Sequence, residues 1–141
     1  MMGADREYSP ELNPHKGNRG LMRAWYALHN SWNGLVFAVR EESAFRQELT
    51  LAACLLPLAV LLPFTSIERL LLVGSIVLVL IVELLNSSIE AAIDRISFEP
   101  HGLSKRAKDY GSAAVMLALL MCALVWITLG GKMLVRAWPL F

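Results

Sequence analysis

Two glutamates on one predicted membrane helix are the side chains of this chain best placed to do chemistry. Glu83 lies within an otherwise apolar run, residues 70–89, and Glu90 follows two helical turns later. At about 100° per residue, both share one helix face with Asn86 and Asp94. A carboxylate inside a bilayer costs on the order of 2.5–3.5 kcal/mol. Because so costly a group is rarely kept without a use, the pattern predicts a functional stripe on this helix.

Further polar side chains gather near the same end of the predicted helices. Glu42 and Glu48 flank the start of the first apolar run, residues 49–64. The segment after the second run and the start of the third run hold Glu99, His101, Lys105, Arg106, Lys108, Asp109 and Ser112. The outer halves of the three apolar runs carry no Asp, Glu, Lys, Arg or His. A transporter needs polar groups at depth in the bilayer, so polar features on one side only favour a site that joins a water-soluble reactant to a lipid headgroup.

Carboxylates beside a lysine–aspartate pair suit phosphoryl transfer. Carboxylate oxygens are ligands that Mg²⁺ prefers, a lysine offsets phosphate charge, and a further carboxylate can accept the proton of an attacking hydroxyl. The chain contains neither GxxxxGK[ST] nor GxGxxG among its nine glycines. If it binds ATP, it must therefore do so with side chains, outside the familiar kinase folds.

Most candidates also have a simpler interpretation, as charges that lie in water or at the membrane surface. That alternative applies to Glu42, Glu48, Glu90, Asp94, His101, Lys108 and Asp109. It is weaker for Glu83, because an ionisable group inside a membrane span is functional by default. For Glu83 the remaining alternative is a structural hydrogen bond to a neighbouring helix.

The elements that position these residues follow from composition and periodicity. The chain has 141 residues, 56% of them hydrophobic, which favours one small membrane domain. Its net charge of +1 gives no reason to expect a nucleic-acid partner. Three apolar runs predict three transmembrane helices. An earlier stripe of tryptophan, leucine and valine at helical spacing predicts an amphipathic helix at the membrane surface or packed on the other helices.

We predict three parts of the chain: a disordered tail (1–19), a membrane domain (20–131) and a C-terminal tail (132–141). Within the membrane domain we predict a surface helix (20–40) and transmembrane helices at 44–64, 67–92 and 111–131, the last ended by Gly130 and Gly131. Ten of the thirteen Lys and Arg residues precede the first apolar run (49–64) or lie between the second and third apolar runs. By the positive-inside rule, the N-terminus is cytoplasmic and the C-terminus lies outside.

Three blocks of this sequence resemble the bacterial integral-membrane diacylglycerol kinase family. Residues 42–48 read Glu-Ser-Ala-Phe-Arg-Gln-Glu, and residues 83–95 place Glu, Asn, Glu and Asp at positions 83, 86, 90 and 94. Residues 106–115 contain Ala-Lys-Asp-Tyr-Gly-Ser after Arg106. The resemblance covers roughly residues 20–129 and is highly specific, because all three blocks occur in order at the family's spacing.

The resemblance implies an all-α membrane enzyme that is homotrimeric, with a surface helix and three transmembrane helices in each subunit. The active sites of such an enzyme are shared between subunits. It lies in the bacterial cytoplasmic (inner) membrane and transfers the γ-phosphate of MgATP to the free hydroxyl of diacylglycerol, which gives phosphatidate.

Carried over by motif, the resemblance also implies roles for individual residues. Glu83 would be the general base, Asn86 would orient Glu83 or a phosphate oxygen, and the Mg²⁺ ligands would be Glu42 and Glu90. The ATP contacts would be Arg23, Glu42, Glu90, Glu99, His101, Lys108 and Asp109. The lipid contacts would be Arg23, Trp32, Glu48, Glu83 and Ser112.

Two other functions stay open. Relatives with the same fold phosphorylate undecaprenol, and the motif residues do not distinguish the two acceptors. We favour diacylglycerol because the whole core, including Trp32-x-Gly34-Leu35 and residues 42–48, resembles that branch most. A non-enzymatic membrane module, such as a transporter subunit or a scaffold, is the alternative from another class. The one-sided cluster of carboxylates argues against it.

Overall fold

The computed structural model describes residues 20–96 and 101–137, and these residues form four α-helices and no strand. The helices are α1 (Leu21–Glu41), α2 (Ser43–Leu61), α3 (Ser66–Ile96) and α4 (Gly102–Ala137). The predicted all-α class, with one N-terminal helix and three long apolar helices, is confirmed. The tail predicted for residues 1–19 lies outside the described residues.

The chain divides after Val36 into two compact units. The first contains most of α1, whose apolar side chains face solvent: Leu21 is 90% exposed, Trp25 68% and Leu28 67%. An exposed stripe of this kind on a helix is typical of a segment that lies in a membrane interface. The second unit contains the end of α1 and all of α2, α3 and α4.

Helix α3 is the central element of the second unit, and it packs against both α2 and α4. One buried cluster joins the three helices through Ala52, Ile76, Val79, Ala118 and Cys122. Small residues at these contacts let helix backbones approach closely inside a membrane. Each of the three helices has an 18-residue apolar window, of which 28% or less is buried. Most of this apolar surface therefore faces outward, as expected of a membrane protein.

Proline ends α2 earlier than predicted. The helix stops at Leu61, because Leu62 precedes Pro63 and adopts an extended conformation (φ −78°, ψ 155°). The next helix begins at Ser66 after a reciprocal cap: Thr65 N donates to Glu68 Oε2 at 3.0 Å, and Glu68 N donates to Thr65 Oγ1 at 3.3 Å. Residues 62–65 are thus a short connection between α2 and α3.

Helix α4 starts nine residues earlier than the predicted span, at Gly102 rather than residue 111. The imidazole Nδ1 of His101 accepts a hydrogen bond from Leu103 N at 3.3 Å, which satisfies one free amide of the first turn. Lys108 and Asp109, which we predicted to precede the third transmembrane helix, therefore lie on the first turns of α4. Helix α3 likewise continues beyond residue 92, to Ile96.

The prediction that Gly130 and Gly131 end the last helix is wrong, because α4 continues to Ala137. Two glycines cost a helix about 1 kcal/mol each relative to alanine. A contact beyond them acts against that cost: Arg136 donates to both carboxylate oxygens of Glu68 on α3, at 2.9 and 3.2 Å. The segment that we predicted as a tail is therefore helical up to Ala137 and is tied to α3.

The same ion pair corrects the prediction that all strong polar features gather on one side. Glu68 is only 8% exposed, and it lies in the first turn of α3. At 1.5 Å per residue it is roughly 22 Å along the helix axis from Glu83. Two charged clusters therefore lie at different levels of α3: the Glu68–Arg136 pair at its start, and a stripe with several carboxylates that runs from Glu83, near the middle, toward its end.

Candidate functional site

Glu83 lies among three other carboxylates. Its side chain is on α3 and is only 3% exposed. The carboxylates of Glu42, Glu48 and Glu90 are close enough to Glu83 to repel it. Within residues 20–96 and 101–137, none of the four forms a salt bridge with a Lys or Arg side chain. The structure thus brings together four predicted site residues and concentrates negative charge there.

A break between α1 and α2 presents Glu42. This residue has an extended backbone (φ −96°, ψ 113°) at the N-cap of α2, and its side chain makes no capping hydrogen bond. One turn later, Arg46 donates from Nη1 to the carbonyls of Val39, at 3.2 Å, and Arg40, at 3.0 Å. Carbonyls in the last turn of a helix lack helical partners. The guanidinium of Arg46 therefore stabilises the break and leaves the Glu42 carboxylate available.

Asn86 holds Glu90 in place. Its Nδ2 donates to Glu90 Oε1 at 3.1 Å, between side chains one turn apart on α3. The predicted role of Asn86 was to orient Glu83 or a phosphate oxygen, so the observed partner is different. The Oδ1 of Asn86 is buried, and no group in the described part of the chain donates to it. In this arrangement Asn86 positions a predicted Mg²⁺ ligand.

Ion pairs join the end of α3 to the start of α4. Lys108 Nζ lies 2.6 Å from Asp94 Oδ1, and the carboxylate of Glu90 also attracts it electrostatically. Asp109 pairs with Lys105, one turn earlier on α4, at 2.7 Å. Both pairs are partly exposed to solvent, so they contribute little to stability. Their effect is on orientation, because Lys108 is held beside the carboxylate stripe of α3.

An apolar groove lies between α2 and α4, next to the carboxylates. Its volume is about 660 Å³, and it is lined by Leu51, Leu55 and residues of α4 between Ser112 and Trp126. A smaller adjoining cavity shares Leu51 and Leu55 with this groove and is lined by Glu48 at one end. The Oε2 of Glu48 is buried, and no described residue donates to it. A groove of this size and composition suits a long apolar ligand whose polar end reaches the carboxylates.

Four predicted site residues are not placed in this cluster. Arg23 and Trp32 belong to the first unit, and both side chains are exposed. His101 uses its Nδ1 to cap the start of α4. Glu99 lies outside the described residues. The nucleotide and lipid contacts assigned to these four stay predictions.

The oxygen donors of the site fit a metal ion that arrives with a nucleotide. In the described ranges, no group of three or more His, Cys, Asp or Glu side chains could hold a metal ion by itself. Magnesium is usually bound by one or two carboxylates, with substrate phosphate oxygens and waters as the other ligands. The carboxylates of Glu42 and Glu90 are hard oxygen donors of that kind, and Asn86 holds Glu90 through its Nδ2.

Three residues that shape the site had no predicted role. Arg46 had no distinguishing signal, because its partners are backbone carbonyls. For Asp94 the sequence left open a function in the stripe or a solvated pair with Arg95 or one of the lysines after α3, and the structure pairs it with Lys108. Gly111 had a weak signal, since a glycine inside a helical pattern often marks close packing. It is buried in the structure against the side chain of Asn86.

Comparisons with known proteins agree with the sequence resemblance. The sequence profile of the prokaryotic diacylglycerol kinase family matches residues 29–129. A diacylglycerol kinase of Pseudomonas aeruginosa is 48% identical over 117 residues, which cover 83% of this chain and 95% of that protein. A diacylglycerol kinase of Haemophilus influenzae is 49% identical over 107 residues, with coverage of 76% and 91%. One of Escherichia coli is 46% identical over 110 residues, with coverage of 78% and 90%.

Proposed function

The chain belongs to the prokaryotic diacylglycerol kinase family, and we therefore propose that it transfers the γ-phosphate of MgATP to the free hydroxyl of diacylglycerol, which gives phosphatidate. The observation that carries this proposal is the position of Glu83 between an apolar groove and a group of charged side chains. An apolar groove adjoins the carboxylate cluster on one side, and the Asp94–Lys108 pair lies at the end of the same helix. A lipid hydroxyl and a nucleotide would meet at Glu83.

The nucleotide is bound by the charged groups at the facing ends of α3 and α4. Lys108 contacts the phosphates, and Asp94 holds its ammonium group at 2.6 Å until the nucleotide arrives. Glu42 and Glu90 bind the Mg²⁺ of MgATP, and Asn86 keeps Glu90 in the binding orientation. When bound, Mg²⁺ offsets the charge that develops on the phosphate oxygens. Asp109 lies beside Lys108 on the same turn of α4 and is assigned to the nucleotide site, with its carboxylate paired to Lys105 at 2.7 Å.

Glu83 acts as the general base. Its carboxylate accepts the proton of the lipid hydroxyl, and the hydroxyl oxygen forms a bond to the γ-phosphorus in line with the leaving oxygen. The bond between the γ-phosphorus and the β–γ bridging oxygen breaks, and ADP leaves. The proton stays on Glu83 until water removes it after product release. Because Glu83 is 3% exposed, water competes poorly with the lipid for the phosphoryl group. Glu48 and Ser112 line the path of the lipid.

The active enzyme is a homotrimer with shared sites in the bacterial inner membrane. The trimer and its shared sites are what the family resemblance implies, and the membrane location is supported by the outward-facing apolar surface, since at most 28% of each apolar window is buried within one chain. The distribution of Lys and Arg supports a cytoplasmic N-terminus and an outer C-terminus. Arg23, Trp32, Glu99 and His101 supply the remaining nucleotide and lipid contacts.

Transfer of labelled γ-phosphate in mixed micelles tests the proposal. The purified chain is given MgATP labelled at the γ-position and diacylglycerol, and the lipid product is identified by chromatography. We expect label in phosphatidate, and we expect Glu83→Gln to lower turnover by about 10²–10⁴-fold, the usual contribution of a general base. The amide has nearly the shape of the carboxylate, so the variant keeps its fold.

Glu41→Gln is the matched control. Glu41 ends α1 close to the site in sequence, its side chain is exposed, and no role is assigned to it. This variant removes the same charge and is expected to keep turnover within about twofold of the parent, since surface substitutions usually have small effects. Parental turnover in Glu83→Gln would remove Glu83 from the role of base. Absence of labelled lipid with the parent would contradict the kinase assignment itself.

A further inference from the structure

Gly111 differs from every other glycine that the structure describes. A Cβ atom added to Gly20, Gly34, Gly74, Gly102, Gly130 or Gly131 would meet no heavy atom within 4 Å. A Cβ added to Gly111 would overlap the Oδ1 of Asn86 and would lie 3.2 Å from its Cγ. Gly111 is also buried on α4. The side chain of Asn86 thus occupies the space that any other residue at position 111 would need.

The atom that would have to yield is the amide end of Asn86, and the backbone of α3 would not. The added Cβ would lie 3.8 Å from the Asn86 Cα, which is an ordinary van der Waals distance. The amide can move away only by turning about its own side-chain torsions. That movement would break the hydrogen bond from Nδ2 to Glu90 Oε1 at 3.1 Å. A side chain at position 111 would therefore disturb Glu90 through Asn86 while the helices stay packed.

We propose that Gly111 is a positioning residue, which leaves on α4 the space in which the Asn86 amide is held against Glu90. The inference rests on the proposed function, in which Glu90 binds the Mg²⁺ of MgATP. The inference adds that the orientation of the Glu90 carboxylate depends on packing against α4 as well as on contacts within α3. Gly111 lies three residues after Lys108, so the same turn of α4 aligns the predicted phosphate contact with the predicted metal ligand.

The first test is the activity of Gly111→Ala. We expect turnover to fall by about 100-fold, the cost that a displacement of about 1 Å in a catalytic group can have. We also expect the Mg²⁺ concentration for half-maximal rate to rise, because Glu90 loses its partner. Gly74→Ala and Gly130→Ala are the matched controls, since each adds the same methyl group to a helix where the chain leaves open space. Both should keep the Mg²⁺ dependence of the parent.

The second test is a double variant with Asn86→Ala. Removal of the amide leaves room for a methyl group at position 111, so Gly111→Ala should cause no further loss of turnover in that background. Thermal unfolding in detergent gives a readout that does not depend on activity. Gly111→Ala should lower the unfolding midpoint more when residue 86 is Asn than when it is Ala.

Three results would overturn the inference. They are parental turnover and Mg²⁺ dependence in Gly111→Ala, a loss of turnover that adds fully to that of Asn86→Ala, and equal shifts of the unfolding midpoint in both backgrounds. Failure of the proposed function has a different signature. In that case the parent itself transfers no phosphate to lipid, whereas the unfolding midpoints still report whether position 111 acts through Asn86.

Discussion

The guanidinium of Arg46 is expected to control the binding of MgATP although it is not a predicted ligand. It donates two hydrogen bonds from Nη1, to Val39 O at 3.2 Å and Arg40 O at 3.0 Å, across the break that carries Glu42. Arg46→Ala removes both bonds. The last carbonyls of α1 then have only water as partner, and the orientation of Glu42 is no longer fixed.

The size of the effect follows from those two bonds. A hydrogen bond that involves a charged group contributes about 1.5–3 kcal/mol when it is protected from water. Both bonds are exposed here, so about 1 kcal/mol each is the more suitable value, and about 2 kcal/mol in total. If the whole of this free energy, about 2 kcal/mol, serves to align Glu42, loss of the two bonds raises the KM for MgATP by up to about 30-fold. The conversion is that about 1.4 kcal/mol corresponds to a factor of ten.

The assay is a titration of MgATP at saturating diacylglycerol. We expect Arg46→Ala to raise KM far more than it lowers kcat, and Arg46→Lys to lie between it and the parent, because lysine keeps the charge but not the planar fork. Arg40→Ala is the control, since it removes a positive charge nearby and keeps its own carbonyl as acceptor. Identical KM values in Arg46→Ala and Arg40→Ala would refute the reasoning, because net charge alone would then explain the effect.

Three further predictions concern the proposed metal ligands and the two ion pairs of α3 with α4. Glu42→Ala and Glu90→Ala should each lower turnover by about 100-fold or more at low Mg²⁺, since the metal supplies several kcal/mol of charge stabilisation, and excess Mg²⁺ should restore part of the turnover, as measured by Mg²⁺ titration. Asp94→Asn frees Lys108, so we expect the KM for ATP to change by several-fold while the unfolding midpoint changes little. Arg136→Ala should lower the unfolding midpoint and leave kcat unchanged, because the ion pair that it breaks lies roughly 22 Å along α3 from Glu83.

Each of these predictions has a result that would contradict it. A Mg²⁺ titration like that of the parent would count against Glu42 and Glu90 as ligands. An unchanged KM in Asp94→Asn would mean that this carboxylate does not orient Lys108. For Arg136→Ala the comparison is Lys132→Ala, an exposed lysine on the same helix that forms no ion pair within the described residues. Equal unfolding midpoints in these two variants would show that the contact to α3 does not stabilise the end of α4.

The existence of the helices was predictable because it depends on local pattern. Apolar length and helical spacing indicated one surface helix and three membrane helices, and all four are present. The helix ends were not predictable to the same degree, because they depend on partners distant in sequence. Gly130 and Gly131 have the local signal of a stop, yet Arg136 finds Glu68 on another helix and α4 continues. The end of α2 is the opposite case. Pro63 is a local signal that a helix ends before it, but we predicted the end of this helix at residue 64, and the structure ends it at Leu61.

The site divides in the same way. Glu83, Asn86 and Glu90 could be placed on one face because their spacing on a single helix fixes it. The hydrogen bond of Asn86 to Glu90 instead of Glu83 depends on side-chain torsions that spacing does not determine. The pairing of Asp94 with Lys108 and the contact of Asn86 with Gly111 depend on how α3 and α4 pack. Which residues make those contacts could be identified only from the structure.

The most direct measurement is a competition between two lipid acceptors. Diacylglycerol and undecaprenol are presented together in mixed micelles with MgATP labelled at the γ-position, and the labelled lipids are separated and counted. The account predicts label mainly in phosphatidate, with the loss of that label in Glu83→Gln. Label mainly in the polyprenol phosphate would keep the role of Glu83 and contradict diacylglycerol as the acceptor. Label in neither lipid would contradict the central claim that this chain is a lipid kinase.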